Sequence, residues 1–204
     1  MITMIDDAIA RLLAQIDELG LNENTIVVFT SDHGDFMGDH GLMLKHGLHY
    51  EGAIRVPFIW SDPSVDGPKR TNLHGSSLDL GAMILASANL APYNGFQGLP
   101  LADILNETVK NPRNGIVIEE DELGAHLGQE TGLRTRSYIE DNWRLTLWHG
   151  QATGELFDRN ADPHEMNNLF NNSDASIRKS QMMEGMLREM IRLNDTAPYA
   201  AYLV

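Results

Sequence analysis

The chain has 204 residues, 42% of them hydrophobic and 22% charged, with 15 Lys+Arg against 29 Asp+Glu for a formal net charge of -14. That composition supplies a core and excludes a disordered chain, and the acidic balance argues against nucleic-acid and membrane-surface partners, both of which need clustered positive charge. No window approaches the roughly 18 apolar residues of a membrane span, and the absence of cysteine removes disulfides, thiolate metal sites and a cysteine nucleophile.

In chain order, Ile2, Ile5, Ile9, Leu12, Leu13, Ile16 and Leu19 recur at three- and four-residue steps, predicting an amphipathic helix over 2–19 that Gly20 stops. Asp6 and Asp7 stand where a signal peptide would carry Lys or Arg, so a cytoplasmic location is expected if these residues are the whole product. Residues 25–30 form a β-branched run without alternation, the pattern of a strand buried on both faces. A Gly- and His-rich loop over 31–52 leads to a second strand expected at 54–60, where Pro57 needs an edge or a strand end. A helix is expected over 76–90, capped by Ser76 or Ser77 with Asp79 in its first turn.

Pro and Gly cluster at 91–100 and again at 111–115, placing a boundary between an α/β region, 1–110, and a C-terminal subdomain, 111–204. Strands are expected at 116–119, 133–139 and 143–148, the last two joined by a turn at Glu140, Asp141 and Asn142. A Met-rich helix follows over 174–193. Trp143 and Trp148 are expected to pack against that helix, and the acidic run 119–122 to form a solvated face.

The chemistry concentrates in Asp32, His33 and Gly34, which follow the first strand at its carboxyl end, the edge where ligands bind in open α/β sheets. A carboxylate and a neutral imidazole side by side there can turn toward one cation.

Four segments in order resemble the sulfatase family of the alkaline phosphatase superfamily. They are residues 4–13 (MIDDAIARLL), 25–59 (TIVVFTSDHGDFMGDHGLMLKHGLHYEGAIRVPFI), 77–85 with 97–101 (SLDLGAMIL and QGLPL), and 154–169 (GELFDRNADPHEMNNL). The resemblance implies a partial alkaline-phosphatase-like mixed sheet with flanking helices, followed by a small antiparallel sheet plus helix. It implies a metal-dependent sulfuric ester hydrolase in which Asp32 and His33 bind the cation, calcium foremost, with magnesium, manganese or zinc as alternatives. Lys45 matches the lysine that contacts a sulfate oxygen, and His46 beside it is the second expected substrate contact. His49 is expected to work with Lys45 in catalysis, with either His49 or His46 giving a proton to the leaving alkoxide. Substrates would be a small sulfate ester or a sulfated sugar. The family's formylglycine nucleophile is made from a Cys or Ser segment that these residues do not contain, so this chain reads as a C-terminal portion, inactive alone. It is expected to associate with itself or with a missing N-terminal portion. A phosphonate or phosphodiester hydrolase, or a non-catalytic binding or assembly module on the same fold, are the competing readings.

Overall fold

The first helix forms as the apolar periodicity dictates, as α1, Ile2–Glu18. In a computed structural model of the chain, which describes residues 1–45, 47–65, 67–106, 108, 110–122 and 132–194, it is followed by β1, Val27–Thr30. Residues 51–54 do not extend the second strand; they make a helical turn, α2 (Glu51–Ile54), and β2 is Phe58–Ser61. Pro57 ends up just ahead of that strand, where its missing N–H costs no ladder bond. Two further helices are α3, Ser77–Ser87, and α4, Leu101–Leu105. The remaining elements are β3 (Gly115–Asp121), β4 (Arg134–Glu140), β5 (Trp143–Trp148), β6 (Gly154–Asp158) and α5 (Ser176–Arg192).

The chain divides into two compact units, Met1–His33 with Arg55–Arg70, and Gly34–Ile54 with Thr71–Val204. In the first, β1 and β2 pair antiparallel with Thr30 opposite Phe58. The expectation that β1 is buried on both faces fails: its four residues run from half-buried to exposed. A β-branched run reports strand propensity, but burial also needs neighbours, and β1 belongs to a two-stranded sheet.

The second unit is built on an antiparallel meander, β3-β4-β5-β6. Because side chains alternate along each strand, the pairing Val117, Tyr138, Leu145, Leu156 forms one cross-strand row on one face. That row packs with Phe170, Ala175, Met182 and Met186 into the apolar core under α5. Gly185 lets the helix approach, since a Cβ there would meet the Tyr138 ring at 2.7 Å. The next row, Ile118, Ser137, Thr146, Glu155, faces the other way, and its three polar members are also buried. Strand β6 escapes prediction because Gly154-Glu-Leu-Phe-Asp158 has neither β-branched residues nor clean alternation.

A second buried polar device anchors α3. Ser76 and Asp79 form a capping box, and both Asp79 oxygens take the Arg113 guanidinium at 2.7 and 2.8 Å. Leu99 N donates to the same carboxylate, and Glu189 of α5 stands 3.8 Å from Arg113 Nε. The sequence places Asp79 in a first helical turn; its partner, 34 residues away, is found only in the fold.

Candidate functional site

The Asp32–His33 pair leaves the end of β1 on a turn of its own making. Ser31 Oγ donates to the His33 carbonyl at 2.8 Å, and His33 N donates to Asp32 Oδ1 at 3.0 Å. Asp32 Oδ2 lies 3.5 Å from His33 Nε2, and the side chains are 84% and 39% exposed. One carboxylate and one imidazole thus converge in an open position, a donor set that suits part of a divalent cation's shell. Among the described residues, no group of three or more His, Cys, Asp or Glu side chains is arranged to hold a metal ion.

Gly34 fixes where this turn ends. Its N–H donates to Ala53 O at 2.8 Å, and a Cβ at Gly34 would fall 1.9 Å from the Gly52 carbonyl oxygen, so only glycine allows the two backbones to approach. The loop that follows passes through left-handed backbone at Met37, Gly38, His40, Gly41 and Leu44. His40 stacks on Tyr50 with ring centroids 3.8 Å apart. Lys45 then projects as an exposed side chain, and His46 lies outside the described residues.

Past Lys45 the chain is pinned to the polar face of the meander. Thr135 Oγ1 donates to Gly47 O at 3.2 Å, the Tyr50 hydroxyl donates to Glu155 Oε1 at 2.7 Å, and Glu51 N donates to Glu165 Oε2 at 2.9 Å. His49 is 3% exposed, with Nδ1 2.9 Å from Ser137 Oγ and Nε2 3.1 Å from Glu120 Oε2. Burial pulls its pKa below the usual imidazole range against the opposing pull of Glu120. Burial and Glu155 together push the Tyr50 hydroxyl well above the ordinary phenol value.

At the centre sits Arg144, fully buried and absent from the sequence-based candidates. Its Nε donates to Glu165 Oε1 at 2.6 Å, and its Nη1 donates to Glu155 Oε2 at 3.0 Å and to Thr146 Oγ1 at 2.6 Å. Its guanidinium carbon also lies 4.9 Å from the ring centroids of both Tyr50 and Phe157. Glu155 and Glu165 belong to the 154–169 segment, so the pattern marks them, but nothing in it shows that they serve one buried arginine.

Two expectations need correction. Trp143 does lie against α5, with Arg178 over its ring at 5.4 Å, but Trp148 has the opposite parity and points to the polar face. The acidic run is not simply solvated: Glu119 and Asp121 pair with Arg136 at 2.8 and 2.9 Å, and Glu120 holds His49.

Comparison with known proteins follows the same lines. The family profile described as Sulfatase matches residues 1–90. An arylsulfatase of Clostridium perfringens is 32% identical over 194 residues, covering 93% of this chain and 38% of that protein. Among solved structures, one in complex with its substrate D-glucosamine-2-N,6-O-disulfate superposes with a TM-score of 0.78 at 25% identity, over 98% of this chain and 41% of the other. The phosphonate monoester hydrolase of Agrobacterium radiobacter shares the fold, with a TM-score of 0.87 at 22% identity, over all of this chain and 42% of its own. The chain therefore spans about two fifths of the length of the proteins it matches.

Proposed function

Because the chain belongs to the sulfatase family of the alkaline phosphatase superfamily, we propose that it carries part of the site of a metal-dependent, arylsulfatase-type sulfuric ester hydrolase. The observation that supports this most is the convergence of Asp32 and His33 at 3.5 Å on the exposed turn after β1. These two would hold a divalent cation, calcium first and magnesium, manganese or zinc as alternatives, which when bound draws charge from a sulfate oxygen. Lys45, exposed and without an ion-pair partner among the described residues, would receive a sulfate oxygen as negative charge grows there during S–O cleavage. His46 is the second proposed substrate contact. A sulfated sugar is the favoured substrate class, in keeping with the disulfated glucosamine bound by one structural neighbour.

Two ligands form a small part of a calcium shell, and the 204 residues contain no cysteine that could become formylglycine. By itself the chain should therefore turn over aryl sulfates negligibly. Calorimetry tests the site: calcium should bind the chain and not its Asp32→Ala variant, and inorganic sulfate should bind less well to Lys45→Ala. The reading fails if neither substitution changes binding. Robust metal-dependent turnover of an aryl sulfate would overturn the proposed inactivity alone. The shared fold of the phosphonate monoester hydrolase supports a second reading, a phosphonate or phosphodiester hydrolase, which a phosphonate ester tested beside the sulfate ester would separate.

A further inference from the structure

The hydrogen bonds under residues 47–54 form a chain whose direction is fixed at both ends. Arg144 has only donors, and its Nη1 donates to Thr146 Oγ1 at 2.6 Å. Thr146 Oγ1 lies 2.6 Å from Ser137 Oγ, which lies 2.9 Å from His49 Nδ1. At the far end, His49 Nε2 meets the Glu120 carboxylate at 3.1 Å, and an ionised carboxylate only accepts. Facing that acceptor, Nε2 must carry a proton. In the neutral ring Nδ1 is then bare, so Ser137 donates to it and must itself accept from Thr146, whose oxygen is the acceptor for Arg144. Each hydroxyl gives and receives one bond, and no other orientation of a neutral ring satisfies both ends.

We infer that the Arg144–Thr146–Ser137 chain locks His49 as the neutral Nε2–H tautomer, making it a positioning residue that sets the backbone carrying Lys45 rather than a proton donor to the leaving group. The chain cannot relay a proton, because its origin is a guanidinium that does not deprotonate in proteins. His49 is deeply buried, both of its nitrogens are engaged, and burial disfavours its charged form. The loop around it is tied at both flanks, through Gly47 O to Thr135 and through Glu51 N to Glu165, which Arg144 holds by its Nε. A closed circuit results, running from His49 through Ser137, Thr146, Arg144 and Glu155 to Tyr50, the next residue along the backbone. Its value for catalysis rests on the reading of Lys45 as the sulfate contact; the tautomer assignment does not.

Two measurements on the 204-residue chain test it. Long-range proton–nitrogen correlation of the His49 ring at neutral pH should show the Nε2–H tautomer alone, and releasing both ends together, in the double variant Thr146→Val with Glu120→Gln, should let it become a mixture. Amide exchange at Glu51, Ala53 and Ile54 should rise by about tenfold in His49→Ala, yet stay within about twofold of the parent in His49→Asn, whose amide oxygen can still accept from Ser137. An Nδ1–H or mixed tautomer in the parent chain overturns the assignment, and that result needs no variant to fold. Equal exchange rates in His49→Ala and the parent overturn the positioning role. Both readouts are independent of sulfate, so loss of sulfate binding with these two intact would sink the reading of Lys45 and spare this one.

Discussion

The two units of this chain treat their apolar and polar residues in opposite ways. Among its described residues, the unit formed by Met1–His33 and Arg55–Arg70 has no buried side chain, and the stripe of α1 stands open, with Ile2 at 86% and Leu12 at 67% exposure. The other unit buries an apolar core and, on the reverse of the same sheet, a set of charges as well, Arg144 among them. An amphipathic pattern thus specifies a surface fit for burial without guaranteeing that this chain covers it. A polar row, in contrast, can be buried when each member finds a partner. Asp32 and His33 sit in the first kind of region and the loop bearing Lys45 is held by the second.

That contrast can be broken most severely at Arg144. Arg144→Met removes the cation and leaves Glu155 and Glu165 buried and unpaired, and should cost about 3–5 kcal/mol in urea denaturation. A loss near zero would mean the polar face is not a sealed network. Asp79→Asn comes next, at about 3 kcal/mol, because it spares shape but removes the charge and turns one of the two oxygens that accept from buried Arg113 into a donor.

A smaller effect should appear on acidification. Burial lowers the pKa of both His49 and His74 below 6.5, so the folded state binds fewer protons than the unfolded chain just below that value. Their contribution is therefore complete above about pH 6.5 and is lost as pH falls toward the folded values. Melting temperature should drop between about pH 7.5 and 5.5, and His49→Asn should flatten that dependence. Stability that rose on acidification would place His49 outside the buried chain. At the small end, Leu12→Gln on the open stripe of α1 should move stability by less than about 0.5 kcal/mol. A larger loss would show that α1 is covered after all.

Some of this was legible beforehand. The Asp32-His33-Gly34 turn, the capping box at Ser76 and Asp79, the hairpin turn at Asp141 with its positive φ, and the Met-rich face of α5 all rest on contacts close in sequence or on a single periodicity. Asp79's pairing with Arg113, the polar face of the meander and the place of Trp148 were not. Ser137, Thr146 and Glu155 alternate with Tyr138, Leu145 and Leu156 as solvent-facing residues would, and only the covering segment 47–54 turns their face into an interior.

The sequence by itself determined the family, the helices with strong apolar period, the order of the motifs and the carboxylate, imidazole and ammonium groups set in the loop that follows β1. Tertiary structure alone decided that β1 stays partly exposed, that Arg144 gathers Glu155 and Glu165, and that His49 is held between Ser137 and Glu120. The division has a physical cause. Periodicity and turn chemistry are encoded by neighbours a few residues apart, whereas the protonation and donor direction of a buried group depend on partners 71 and 88 residues away that only the folded chain brings within reach.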